Sequence, residues 1–503
     1  MTSPSSGEPR PSAPAGAARG GTFSDPRLRA SYIWTAGGVF GGQGLLWLVS
    51  LFVARLLQPQ DYGLLAMATV FLSFCQTLQD AGLGAAVIQS RDTDQRALST
   101  AFWFLCVSGA SATLLGVLIA SGVAWIYHEP RVIPILRVLS FAFILIAART
   151  VQFSLLAKEL KFANRTKAEL ASGFGGALLT ITLALKGFGV WSLVYGNLGS
   201  EIVLTLLTYW FSRWRPSFEW DRAALKRLLD FGLPSTGSML LWRIYYQADF
   251  FVIGILLNSA LLGFYTMAWR LAMVSTERIM AVFTKVSFPA FASLQEKPRE
   301  AAHHWLQITE LVAWLTFPLL TGMMLVAEPF VRLALTAKWL PCVPVLRLLC
   351  VLAIMRSLGT IMPALVNALG HPGVILRYNL VSVMVLPLVF AAAAYWAGIE
   401  GVGIAWLVAY TPMALWLFYF TLKLTDTAAR DYLRRLLPPA ACTAVMIGAI
   451  LLCRLVPVQK TIFSLLLQVG VGGTAFAACG LWWFQKTTRL ALLRSWLGAK
   501  AGG

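Results

Sequence analysis

The chain has 503 residues, of which 58% are hydrophobic and only 13% charged, with a mean hydropathy of +0.70. An ordinary soluble core does not need that much apolar surface, so lipid is the solvent for most of the chain and the expected fold class is an all-α polytopic membrane protein. The formal charge of +19 would suit a nucleic-acid partner if Lys and Arg were gathered on one domain, but they are spread over short connectors, and no nucleic-acid partner is expected.

Residues 1–30, rich in Pro, Ser, Gly and Ala, lack the apolar content to fold and lack the basic start and apolar run of a secretory signal; they read as a disordered cytoplasmic tail. About fourteen apolar stretches follow, over 31–56, 64–79, 97–126, 132–157, 168–185, 190–212, 231–257, 261–283, 305–327, 343–369, 374–397, 401–423, 439–456 and 461–485. The second is too short to cross alone, so its helix is expected to begin in the preceding loop or to run past Asp80. The outer connections are short, the longest running from about Glu328 to Cys342.

Alternate connections carry about 27 Lys and Arg on the side of the N-terminus and about 5 on the other, which the positive-inside rule converts into cytoplasmic termini. The light side holds Arg131, Lys186, Arg332, Lys338 and Lys460.

The chain also echoes itself at a spacing of about 200 residues. Phe52-Val53-Ala54-Arg55-Leu56-Leu57, Gly63 and Met67-Ala68 align with Phe251-Val252-Ile253-Gly254-Ile255-Leu256, Gly263 and Met267-Ala268. Two parallel six-helix lobes are predicted, over 31–230 and 231–423, followed by 424–503 with an interfacial segment, helices 13 and 14 and a basic tail. A second echo, Leu225-Lys226-Arg227-Leu228-Leu229 and Leu433-Arg434-Arg435-Leu436-Leu437, suggests two amphipathic segments lying along the cytoplasmic interface.

Helix 1 carries Gly37, Gly38, Gly41, Gly42 and Gly44, spacings that suit close packing or a bend. Pro234 falls in the first turns of helix 7, as a helix start or a kink. Seven cysteines lack metal or redox spacing and read as buried apolar residues. Asn164-Arg165-Thr166 matches a glycosylation pattern on the wrong side of the membrane. His303 and His304 are neighbours and cannot share a helical face as ligands, and no Walker motif occurs. No cofactor or metal is expected.

A charge near mid-membrane costs about 2.5–3.5 kcal/mol even on the most lenient scale, so deep polar residues are the candidates for a site. Helix 7 contributes Arg243, Tyr246, Gln247 and Asp249; helix 8 contributes Arg270, Glu277 and Arg278; helix 10 contributes Arg356. The first lobe adds Gln43, Gln76, Gln79, Asp80, Arg149, Asn197 and Glu201. For any one of these, an internal ion pair that fixes packing is the competing explanation.

Short strings stand in order along the chain: Thr35-Ala36-Gly37-Gly38, Gln43-Gly44, the run from Ala54 to Gly63, Asp80-Ala81-Gly82-Leu83-Gly84, Ile88-Gln89 and the run from Gly187 to Val194. Gln247-Ala248-Asp249, Val252-Ile253-Gly254, Gly263-Phe264-Tyr265 and Ala268 follow. In these strings, their order and their helix positions, over about residues 31 to 425, the chain resembles the polysaccharide-unit flippases of the multidrug/oligosaccharidyl-lipid/polysaccharide (MOP) exporter superfamily, of the colanic-acid-exporter type.

The resemblance implies a V-shaped pair of lobes, not an enzyme, that moves undecaprenyl-pyrophosphate-linked oligosaccharide by alternating access. It further implies coupling to Na⁺ or H⁺, and partner glycosyltransferases and a polymerase in the same pathway. Arg243, Arg270, Arg356 and Arg149 are then expected to meet the pyrophosphate, and Gln43, Gln76, Tyr246 and Gln247 the sugar. Asp249, Glu201 and Asp80 are the candidates for ion coupling. A drug or organic-cation exporter of the same superfamily, a membrane-embedded glycosyltransferase or polymerase, and a structural scaffold are the rival expectations.

Overall fold

The computed structural model describes residues 41–486 except 43, 90–93, 160 and 456–460, with the backbone alone at some positions, Arg278 among them. The expected 1–30 tail, Gly37, Gly38, Gln43 and the basic tail beyond 486 lie outside the described residues. Among those described, every regular element is helical.

The first lobe holds α1 (Gly44–Leu56), α2 (Pro59–Asp80), the short α3 (Leu83–Gln89), α4 (Gln95–Tyr127), α5 (Val132–Ser140) and α6 (Ala142–Lys158). It ends with α7 (Phe162–Leu185) and α8 (Val190–Ser212). The second lobe holds α9 (Arg222–Leu256), α10 (Ser259–Ser293), α11 (Pro298–Leu325) and α12 (Ala327–Ala334). After a 3₁₀ turn (Ala337–Cys342) come α13 (Val343–Gly359), α14 (Met362–Ala368) and α15 (Pro372–Leu424). Last are α16 (Ala429–Arg454) and α17 (Thr461–Lys486).

Eleven helical stretches among the described residues are long and apolar enough to cross a membrane. One of them, α15, is broken at Ala397 and Gly398 into two helices. Gly398 takes φ 59°, ψ −143°, nearly the conformation of Gly189 before α8 (φ 54°, ψ −131°). A side chain is strained there, so the same glycine device opens the sixth crossing of each lobe.

Local chemistry sets the other helix starts. Pro59 opens α2, and the Asp61 carboxylate accepts from the Gln58 backbone N–H at 2.8 Å, so α2 does begin in the preceding loop. Asn258 caps α10 by accepting from the Leu261 N–H at 2.9 Å. Asp221 caps α9 through the Ala223 and Ala224 N–H groups. The two amphipathic segments differ from expectation: 225–229 and 433–437 are the opening turns of α9 and α16, continuous with the apolar helices that follow. Their i→i+4 ladders run on into lipid-length helices, so neither is a separate surface element.

The lobes meet through α2 and α10. A Cβ on Gly63 would lie 1.7 Å from the Ser259 carbonyl oxygen, and one on Gly263 would lie 1.8 Å from the Pro59 carbonyl oxygen. The repeat seen in the sequence is therefore reciprocal contact in space. Around it, each lobe covers open helix ends of the other: Arg55 donates to the Leu333 and Ala334 carbonyls, while Lys338 and Trp339 donate to the Arg55 and Ala54 carbonyls at 2.7 and 2.9 Å. Glu129, which the Arg131 guanidinium holds below the usual carboxylate range, reaches Ser259 at 3.5 Å. At the opposite end of α2, a Cβ on Gly232 would lie 2.3 Å from the Ala81 carbonyl oxygen.

The connection between lobes, 213–221, is fastened to α4. Gln95 donates to the Arg215 carbonyl (2.8 Å), Trp214 to the Gln95 amide oxygen (2.7 Å) and Trp103 to the Ser217 carbonyl (2.9 Å), and the Asp221 N–H meets Thr100 (2.9 Å). Any relative movement of the lobes must then be taken up beyond Asp221, in α9 itself.

Because backbone lies within 2 Å of the missing Cβ, Gly63→Ala and Gly263→Ala are expected to cost about 1–3 kcal/mol each by overpacking. Gly448→Ala, with nothing within 4 Å, is the neutral control. Thermal unfolding of the detergent-purified protein checks the difference.

Candidate substrate and coupling site

Arg356 is the centre of the polar residues in the second lobe. It leaves α13 and lies over three aromatic rings, with its guanidinium carbon 4.8 Å from the Tyr246 centroid, 5.5 Å from Trp406 and 5.6 Å from Trp269. Its Nη1 is sealed from solvent and has no hydrogen-bond partner. The ring faces supply the negative potential that water would otherwise give, which keeps a guanidinium charged among apolar helices.

Two carboxylates flank this cation. Asp249 is fully buried and accepts from the Tyr265 hydroxyl at 2.6 Å, the Trp406 indole N–H at 2.9 Å and the Phe250 backbone N–H at 2.9 Å. The Trp406 N–H also reaches the Tyr265 oxygen at 3.1 Å. Glu277, which is exposed, accepts the Tyr246 hydroxyl. Both carboxylates lie within electrostatic reach of Arg356. The set thus runs from an exposed edge at Glu277 to a sealed end at Asp249.

On α9 the exposed edge continues. Trp242 is 40% exposed and stacks on Tyr246 with centroids 4.7 Å apart and planes 25° from parallel. Arg243, beside it, is partly buried and makes no hydrogen bond or ion pair among the described residues. Arg243 and Asp249 are six residues apart, or about 9 Å along the helix. Gln247 is partly buried on the same helix.

The remaining candidates fall elsewhere. Arg149 of α6 is taken by Glu201 of α8 in an ion pair, so one residue expected to meet phosphate and one expected to bind an ion hold each other. Arg270 lies over the Tyr62 ring at 5.7 Å, at the contact of α2 and α10 rather than beside Arg356. Asp80 faces the backbone N–H groups of Gly82 and Gly84, where it caps α3. Gln79 donates to the Phe143 carbonyl at 3.1 Å, and Gln76 is partly buried nearby. Asn197 bonds back to the Leu193 carbonyl at 3.0 Å. Gln43 and the Arg278 side chain lie outside the described residues. The residues that sequence reasoning passed over are Trp406, Tyr265, Trp269 and Trp242.

Apolar helices joined through a repeated glycine contact, with deep charges held against aromatic rings, define a multi-pass helical membrane protein. The fold is shared with solved structures of membrane transporters, one of them described as a member of the MOP superfamily. Over 91% of its length the chain superposes on all of the lipid II flippase MurJ, inward closed conformation, with TM-score 0.71 and 14% identity. It superposes over 76% of its length on 96% of an inward-facing multidrug resistance MATE family transporter of that superfamily, with TM-score 0.62 and 17% identity. Residues 52–344 match the family described as polysaccharide biosynthesis protein, and the chain belongs to that family. It is 25% identical to the lipopolysaccharide biosynthesis protein WzxC of Escherichia coli K12, over 79% of this chain and 81% of that one. It is 26% identical to the teichuronic acid biosynthesis protein TuaB of Bacillus subtilis 168, over 74% and 78%.

Trp406→Phe keeps the ring and removes the N–H from a sealed carboxylate, so a loss of about 1–3 kcal/mol is expected. Tyr246→Phe releases only the exposed Glu277 and is expected to cost less than about 1 kcal/mol. Paired thermal unfolding curves read the contrast.

Proposed function

We propose that this protein is a flippase that carries an undecaprenyl-pyrophosphate-linked oligosaccharide across the bacterial inner membrane during polysaccharide biosynthesis. In this reading both termini are cytoplasmic, and the chain crosses fourteen times, with α15 counted twice and α1 and α10 included. Glycosyltransferases supply the cargo and a polymerase consumes it. Kinship with proteins named for lipopolysaccharide and teichuronic acid biosynthesis supports the cargo class.

The observation that carries the mechanism is Arg243, a partly buried cation with no hydrogen-bond or ion-pair partner among the described residues. It stands next to an exposed indole and one turn from Tyr246. A diphosphate entering between the lobes loses water, and charge-assisted hydrogen bonds from Arg243 replace it. Trp242, Tyr246 and Gln247 offer a stacking face and hydroxyl and amide groups to the first sugars, and Gln43 and Gln76 of the first lobe are the further candidates for sugar contact. Arg356, held behind Tyr246, adds long-range positive potential. Arg270, at the α2–α10 contact, meets the headgroup only when the lobes part. Arg149 acts through its pair with Glu201 and keeps α6 on α8.

The surroundings of Asp249 favour a proton over Na⁺ as the coupling ion. All three groups that touch its carboxylate are donors, whereas Na⁺ needs converging oxygen acceptors. Protonation of Asp249 releases Tyr265 and Trp406 and leaves Arg356 without its inner counter-charge, which strengthens its pull on an entering anion.

Arg243→Ala is expected to lower cargo counterflow in liposomes at least about tenfold with unchanged thermal stability, and Arg243→Lys to restore part of it. Arg149→Ala is expected to lower stability first. Unchanged export by Arg243→Ala, Arg270→Ala and Arg356→Ala alike, at normal protein levels, would rule out the cationic mechanism. Asp249→Asn is expected to remove the response of transport to an imposed pH gradient, while an imposed Na⁺ gradient has no effect on the unaltered protein.

A further inference from the structure

A cavity of about 420 Å³, with none of the Arg356 cluster in its walls, lies where the first turns of α11, the first turns of α16 and the last turns of α17 come together. Its walls are His303, Glu310, Asp431, Arg434, Arg435 and Trp483, with Leu306 and Pro438 behind them. The volume is in the range of small-ligand pockets, roughly 300–1,000 Å³.

Its charges are mixed by construction. Glu310 and Arg435 pair at 2.8 Å with 12% and 24% of their side chains exposed, which fixes α16 to α11. Beside them Asp431 and Arg434 are exposed, with no side-chain partner among the described residues. Tyr432, between them in sequence, points the other way and stacks on Trp305 and Phe418 at 5.3 and 4.6 Å, so the helix cannot turn to hide Asp431 and Arg434. On the same turns Leu433 and Leu437 are 59% and 63% exposed, one helical turn apart. Leucines so exposed next to free charges mark the boundary between headgroups and acyl chains.

We infer that this cavity binds the headgroup of a phospholipid that carries a primary amine, with the phosphate on Arg434 and Arg435, the ammonium on Asp431 and Glu310, and the acyl chains along Leu433 and Leu437. A purely anionic headgroup is disfavoured, because two carboxylates face the same space as the two arginines. The sugar-diphosphate cargo is disfavoured for the same reason. A quaternary amine has no N–H to give the carboxylates. The bound lipid ties α16 and α17, the pair beyond the two lobes, to α11 of the second lobe, and this role does not depend on what the transporter carries.

The test uses the delipidated full-length protein in detergent, titrated with dihexanoyl phosphatidylethanolamine, phosphatidylcholine, phosphatidylglycerol or inorganic phosphate, and read by native mass spectrometry and by melting temperature. The ethanolamine lipid is expected to give a saturable one-to-one adduct and a rise in melting temperature, with Asp431→Asn and Arg434→Gln each weakening it about tenfold or more. Both side chains are exposed and unpaired, and the lipid-free melting temperature of each variant checks that it folds. Headgroup preference in the unaltered protein is a second readout that needs no variant. Equal or stronger binding of phosphatidylglycerol or phosphatidylcholine, displacement of the adduct by millimolar phosphate, or adducts unchanged in both variants would overturn the assignment.

Discussion

Keeping Arg356 charged among apolar helices is the constraint that organises the second lobe. A guanidinium can be neither deprotonated nor fully hydrated there, so other groups must supply the stabilisation. Rings from α9, α10 and α15 cover its faces, while Asp249 and Glu277 balance its charge from opposite ends. Each of these groups belongs to a different helix or a different turn, and so the cation sets how four helices sit against one another. Removing Trp406 or Tyr265 takes a donor from the buried Asp249 carboxylate, whereas removing the Tyr246 hydroxyl releases only the exposed Glu277.

The first lobe handles its charge differently. Arg149 and Glu201 neutralise each other across α6 and α8, and Gln79 donates to the Phe143 carbonyl. These polar groups of the first lobe hold helices together, while in the second lobe Arg243 has no hydrogen-bond or ion-pair partner among the described residues. The asymmetry suits a carrier in which one lobe grips the charged headgroup and the other presents a surface that moves against it.

Much of this was legible in the sequence. Hydropathy fixed the membrane class, and the repeat from Phe52 to Ala68 and from Phe251 to Ala268 located the two helices that cross at Gly63 and Gly263. Deep charge picked out Arg243, Asp249 and Arg356 because lipid penalises them individually. Trp406 and Tyr265 were invisible for the opposite reason: an aromatic residue in an apolar helix carries no penalty, and nothing local reveals that Trp406 bonds a carboxylate 157 residues away. The pairing of Arg149 with Glu201 was hidden likewise, since both residues stand out singly while their contact depends on how α6 lies on α8. The opening turns of α9 and α16 were read as surface segments because their amphipathic pattern is local, whereas their continuity with the next helix is not.

The paired approach of Gly63 to Ser259 and Gly263 to Pro59 has an evolutionary meaning. Two surfaces that contact each other residue for equivalent residue form an isologous interface, the kind a two-fold homodimer makes. A half-length ancestor with six crossings could have closed the same contact with a second copy of itself before duplication and fusion joined the halves. Once joined, only one half needed to keep each charged group, and the two were free to diverge.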